Sequence, residues 1–146
     1  MLKVKFISLF VLLLTITLNS CSDDDSFEVT SSNLCGTWTY TRCYGWEYEY
    51  DDNNNKYKDY FDEQAEPEIC VTTFTFNEDG SGVEKNIYKK GTSEYPFRYS
   101  IVGNKIIFSG EAIVVGKDVT VIKLTKKELV LKCEDSESEE NWCFTK

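Results

Sequence analysis

The chain has 146 residues, with 16 Lys and Arg against 25 Asp and Glu for a net charge of -9, six Cys and no His. That length suits one domain, and the absence of His excludes Ser-His-Asp and Cys-His nucleophiles and His-ligated zinc, haem or iron. The acidity speaks against nucleic acid and anionic membrane surfaces as partners, because both select a basic face, while 41% hydrophobic and 14% aromatic residues speak for a folded core.

Residues 1–20 read as a secretory signal. Lys3 and Lys5 precede an apolar run from Phe6 to Leu14 that trails to Leu18, short for a membrane span. The run ends in Leu18-Asn19-Ser20-Cys21, which resembles the bacterial lipobox: a Leu stands three residues before the Cys and a small Ser directly before it. The resemblance implies cleavage before Cys21 and acylation of its thiol and amine. The other reading is an ordinary exported protein whose Cys21 pairs with a second Cys. One acyl chain binds a membrane marginally, whereas two or three hold it stably, at ~0.8 kcal/mol per buried methylene. Residues 21–33 then form a lipidated acidic tether. Within it, Ser22-Asp23-Asp24-Asp25-Ser26 is similar to the acidic surface-export tag of lipoproteins of the Bacteroidetes type. That likeness implies an outer-membrane lipoprotein facing the cell exterior; as a plain solvated spacer, the same stretch suits a periplasm-facing one. Loss of Lys3 and Lys5 with the signal takes the net charge from -9 to -11.

From Leu34 onward no stretch keeps a helical apolar period, and short β-branched and aromatic runs are separated by Gly, Asn and Asp turns. The first strand is Gly36 to Tyr44. Val71 to Tyr88 is read as a hairpin turning at Asp79-Gly80, with Phe74 and Phe76 on its first strand and Val83 and Ile87 on its second. Tyr95 to Phe108 turns at Gly103-Asn104, where Gly at the first turn position suits a type II′ geometry. That turn sets Ile101 opposite Ile106 and Tyr99 opposite Phe108, all on one face. Val119 to Cys133, turning at Lys126-Lys127, sets Leu124 opposite Leu129 and Ile122 opposite Leu131. Trp142 to Thr145 completes eight strands joined mostly by hairpins. Such a set closes most economically into an up-and-down antiparallel barrel, which removes the edges; a two-sheet sandwich is the rival. The expected interior is Trp38, Tyr40, Phe74, Phe76, Tyr99, Ile101, Ile106, Phe108, Ile122, Leu124, Leu129 and Leu131.

Leu34-Cys35-Gly36-Thr37-Trp38 is similar to the Gly-x-Trp opening of lipocalins, and the hairpin Phe74-x-Phe76-Asn77-x-Asp79-Gly80-x-Gly82 resembles lipocalin-like domains of Bacteroidetes-type lipoproteins. The resemblance implies an all-β, eight-stranded lipocalin-like barrel over residues 34–146, with Trp38 plugging its closed end and Gly36 allowing close strand approach. It also implies carriage of a small apolar or aromatic ligand.

In an up-and-down barrel the loops after strands one, three, five and seven share an end. The first, Gly45 to Glu68, carries nine acids against Lys56 and Lys58, and the last, Glu134 to Asn141, adds five more. The acidity is therefore polarised toward one rim. The long loop also holds Trp46, Tyr48, Tyr50, Tyr57 and Tyr60, candidates for meeting a ligand or a cationic partner, since rings beside carboxylates favour cations and sugars. Alternation over Trp46-Glu47-Tyr48-Glu49-Tyr50 predicts that the first strand continues past the rim; the rings then also suit a lid packed over the barrel mouth. Asp51, Asn53, Asn55, Asp59 and Asp62 fall on the one, three, five, nine and twelve spacing of a calcium loop. Lys56 replaces the turn Gly and Asp62 the final Glu, and Asp-Asn runs are ordinary loop chemistry.

Five cysteines remain beyond Cys21, and an oxidising compartment favours pairing. The expected bridges are Cys43–Cys70, at the base of the long loop, and Cys133–Cys143, closing the last one. Strand parity opposes both, and Cys35–Cys143 remains open because the first and last strands adjoin in a closed barrel. A leftover Cys has no His to activate it and the cysteines lack paired C-x-x-C spacing for a metal, so the expectation is a binding protein without catalytic residues or cofactor. Either a hollow barrel carries a ligand, or a filled one serves as an interaction module.

Overall fold

The computed structural model describes residues 26–114 and 116–146; the expected signal peptide and the expected lipidation at Cys21 lie outside the described residues. A single helical turn, α1 (Ser31–Leu34), precedes nine strands: β1 (Gly36–Tyr50), β2 (Lys56–Gln64), β3 (Cys70–Phe76), β4 (Ser81–Tyr88), β5 (Gly91–Val102), β6 (Lys105–Gly110), β7 (Asp118–Leu124), β8 (Glu128–Glu134) and β9 (Ser138–Thr145). β3 to β9 succeed one another as an antiparallel meander. The long β1 pairs β3 through Gly36–Thr39 and, along its other edge, β9 through Thr39–Glu47. That second pairing closes eight strands, β1 and β3–β9, into a barrel, as expected from the sequence. The stretch read as a long loop instead contains β2, which pairs the distal half of β1 from Arg42↔Gln64 to Tyr50↔Lys56 and forms a hairpin beyond the rim.

The register is set by apolar faces. Ile101 pairs Ile106, Tyr99 pairs Phe108 and Leu124 pairs Leu129, as the alternation predicts. Gly103 takes φ +63 in the two-residue β5–β6 turn, a conformation a Cβ resists. Two predictions are corrected. A bulge between Val121 and Lys123 lets Val121, not Ile122, oppose Leu131, so Ile122 turns outward and is 50% exposed. The β3–β4 connection is a five-residue loop, Asn77 to Ser81, closed by the Ser81 amide and hydroxyl donating to Asp79 Oδ1 at 2.9 and 2.5 Å. Phe76 therefore opposes Gly82 and Phe74 opposes Glu84, one residue off the two-residue turn, and Gly82 and Glu84 rather than Val83 and Ile87 face inward. Gly82 is required there, because a Cβ would run into the Phe97 ring.

The end of the barrel at which β1 begins is solid. Trp38, Phe74, Phe76 and Phe144 are fully buried; Phe76 meets Phe97, Tyr99 and Phe108 edge-on or tilted with centroids 5.2–6.1 Å apart, and Phe74 meets Phe144 edge-on at 5.4 Å. Leu34 in α1 is buried against them, and the Trp38 indole donates to the Leu34 carbonyl at 2.8 Å. Phe27 and Val29, in the stretch read as tether, pack on this core, and the Phe27 amide donates to the Leu124 carbonyl at 2.7 Å. At the chain's other terminus the Lys146 ammonium donates to the Cys35 carbonyl at 2.6 Å and lies 4.6 Å from the Trp38 ring centroid. Of the expected interior, Tyr40 and Ile101 are partly buried, and only Ile122 lies outside.

Candidate functional site

The opposite end is open. A half-open cavity of about 500 Å³ occupies it, between the inward faces of β1, β3, β4 and β9 and the inward face of β2. Its position arises from two shifts of strand parity. β1 brings Trp38 and Tyr40 inward, is bulged between Tyr40 and Arg42 against β9, and thereafter brings Cys43 and Glu47 inward. The five-residue loop before β4 turns Glu84, Asn86 and Tyr88 to the same space.

The floor is aromatic. Tyr40 meets Trp142 and Phe144 edge-on at 6.3 and 5.9 Å. One wall is a hydrogen-bonded row: Thr72 Oγ1 donates to Asn86 Oδ1 at 2.6 Å, and Asn86 Nδ2 donates to Glu84 Oε1 at 2.9 Å. The second Glu84 oxygen accepts from the Ile113 amide at 2.8 Å, on the β6–β7 connection that folds over the mouth. Glu84 is only 3% exposed, and among the described residues it makes no ion pair with Lys or Arg. Across the cavity Glu140 accepts from the Trp142 indole at 2.7 Å and from the Lys117 ammonium at 2.6 Å, which itself lies 5.4 Å from the Trp142 ring centroid. Glu47, Glu63 and Phe61 complete the rim.

Burial pushes Cys43 up to about 12, with Glu140 and Glu63 adding to the effect, and burial likewise holds Cys133 at about 12. Burial, helped by Cys43 and Glu63, raises the Tyr40 phenol to about 12. At neutral pH these groups are protonated, Tyr40 and Cys43 as part of the cavity wall, and the two thiols are weak nucleophiles. None of the five described cysteines is bonded to another, which corrects both expected bridges and removes Cys35–Cys143. Cys43 and Cys70 both face the cavity without meeting. Cys133 lies on the inward face of β8 with Leu129 and Leu131, whereas Cys143 lies on the outward face of β9, between the inward Trp142 and Phe144, so no bond joins them.

The aromatic residues expected to meet a ligand lie mostly on the hairpin's other side. Trp46, Tyr48 and Tyr50 share the outer face of β1 with Tyr60 of β2, which pairs Trp46. Their cation positions are partly taken: the Lys58 ammonium lies 3.5 Å from the Trp46 centroid and the Lys56 ammonium 4.0 Å from that of Tyr48. Tyr57 pairs Glu49 on the inner face. None of the five lines the cavity; Glu47, Phe61 and Glu63 of the same hairpin do.

The residues at calcium-loop spacing are not brought together. Asp51 Oδ1 accepts from the amides of Asn53 and Asn55 at 2.9 and 2.8 Å, and Oδ2 accepts from Asn55 Nδ2 at 3.0 Å. Those bonds hold the Asp51 carboxyl below its usual range and knit the β1–β2 turn, where Asn54 adopts φ +62. Asp59 pairs Glu47 on the inner face, while Asp62 grips Arg42 through two bonds of 2.6 Å on the outer one. Among the described residues, no group of three or more Cys, Asp or Glu is placed to hold a metal ion.

Sequence reasoning missed Glu84 and Asn86 because it credited the apolar Val83 and Ile87 with the inward face. The signal was in the turn: Asn77, Asp79 and Ser81 are the residues of a side-chain-bonded loop longer than two residues. No family model matches the chain, and no curated protein is detectably similar to it.

Proposed function

We propose that the protein is a lipid-anchored binding protein: acylated at Cys21, held on the outer membrane with its domain facing the cell exterior, and carrying a lipocalin-like barrel that receives a small molecule at its open end. The observation that carries the binding part of the reading is the cavity of about 500 Å³, within the usual range for small-molecule sites, with an aromatic floor and convergent polar groups. Binding there needs no catalytic group, and protonated Cys43 suits a wall. Native mass spectrometry of protein released directly from cells tests carriage: a retained small molecule is expected, lost on Trp142→Ala. Protease shaving of intact cells tests display, and protection of the domain would move it to the periplasmic side.

A second reading, an interaction module with no small-molecule ligand, is favoured by the outer face of the β1–β2 hairpin, where Tyr50 and Tyr60 are 56% and 70% exposed at the acidic rim. Co-purification of a cationic protein partner, abolished by Tyr60→Ala and indifferent to Trp142→Ala, would establish it instead.

A further inference from the structure

We infer that the ligand of the open-end cavity is a small organic cation, an ammonium carried on an apolar body. This deepens the binding reading and rests on it. The cavity supplies the space and its charge selects the occupant. Four carboxylates line it, those of Glu47, Glu63, Glu84 and Glu140. Glu84 is the informative one. It is almost wholly buried, its two oxygens each accept one bond from a neutral donor, and no Lys or Arg pairs with it among the described residues. A buried carboxylate held by neutral donors alone is undercompensated, and a cation beside it supplies what is lacking.

The chain already shows how a cation is received here. The Lys117 ammonium sits on Glu140 at 2.6 Å and 5.4 Å from the centroid of Trp142, so one carboxylate and one ring of the cavity hold an ammonium contributed by the protein itself. Tyr40, Phe61 and Tyr88 offer further ring surface to an apolar body next to Glu84 and Glu63. Anions meet the opposite: four acids, with Lys117, the lysine that reaches them among the described residues, engaged by Glu140.

Three molecules sharing one body separate charge from shape: phenethylamine, 2-phenylethanol and phenylacetate, titrated by calorimetry into the full-length chain in detergent. The amine is expected to bind at least about tenfold more tightly than the alcohol, and the acid not to bind. Glu84→Gln and Glu63→Gln should each lower the ratio of amine to alcohol affinity by most of that preference. Lys117→Gln should tighten amine binding by freeing Glu140. Melting temperatures of the variants guard against misfolding, and Glu63→Gln at the rim serves if Glu84→Gln fails to fold. Equal affinity for alcohol and amine overturns the inference and leaves the cavity reading intact. Failure of all three to bind, alongside a retained neutral or anionic molecule from cells, does the same. Failure of all three with nothing retained overturns both.

Discussion

The two ends of the barrel are made by the same eight strands and do opposite things. At the closed end the inward positions of β1, β3, β5, β6 and β9 are Trp38, Phe74, Phe76, Phe97, Tyr99, Phe108 and Phe144, which fill the lumen with rings. At the open end the inward positions are Cys43, Glu47, Cys70, Thr72, Glu84 and Asn86, with Glu63 beside them on the flanking β2, too polar or too small to close the space. Apart from the two bulges the strands keep a period of two, so a change of chemistry along each strand, with a parity shift in β1, converts a plug into a cup. Stability and the proposed recognition thereby fall in different halves of one barrel, where they are open to separate perturbation.

The strongest test of that division is Trp38→Ala. It removes a fully buried ring and its bond to Leu34, and should cost about 3–5 kcal/mol in urea unfolding while leaving affinity per folded molecule unchanged. Alkaline titration probes the other half. Tyr40, Cys43 and Cys133 stay protonated in the folded state to about 12, whereas the unfolded chain releases those protons nearer its ordinary values of 10.0 and 9.0. Their contribution to stability is complete below the lower value and is lost as pH rises from about 9 toward 12. Thermal unfolding from pH 8 upward should fall along that window, and a flat profile would show that the open end is solvated rather than buried. A pair of substitutions on β7 sharpens the boundary of the plug: Val121→Ala should cost about 1–3 kcal/mol and Ile122→Ala no more than ~0.5 kcal/mol, because the bulge places only the first inside. Last comes Arg42→Ala on the outer face of the hairpin. Its bidentate pair with Asp62 is exposed and solvent-screened, so the melting temperature should fall only slightly, with ligand affinity unaffected.

The closed end was legible in the sequence because its residues are apolar and alternate, so a wrong register exposes them. Ile101 with Ile106 and Tyr99 with Phe108 permit one pairing through the Gly103-Asn104 turn. The open end was not, for three local reasons. An exposed strand such as β2, Lys56–Gln64, has no apolar face to betray it and reads as a charged loop. The bulges at Tyr40/Arg42 and Val121/Lys123 each reverse the parity of the residues beyond them, which alternation alone does not reveal. The five-residue turn before β4 shifts every inward residue by one, exchanging Val83 for Glu84. Each miss lies where a polar strand or an irregular backbone interrupts the apolar alternation.

The contacts of the chain ends carry a consequence for orientation. Phe27 is bonded to Leu124, beside the β7–β8 turn, and Lys146 to Cys35 and to the Lys127 carbonyl, so both ends of the folded chain leave from the plugged face. From Cys21 to Phe27 a fully extended backbone reaches about 20 Å. A chain acylated at Cys21 would therefore stand with its plug toward the lipid and its mouth toward the medium, like a cup set upright on a short stem. Diffusing molecules would then meet the acidic opening first, without the domain having to turn over or leave the membrane.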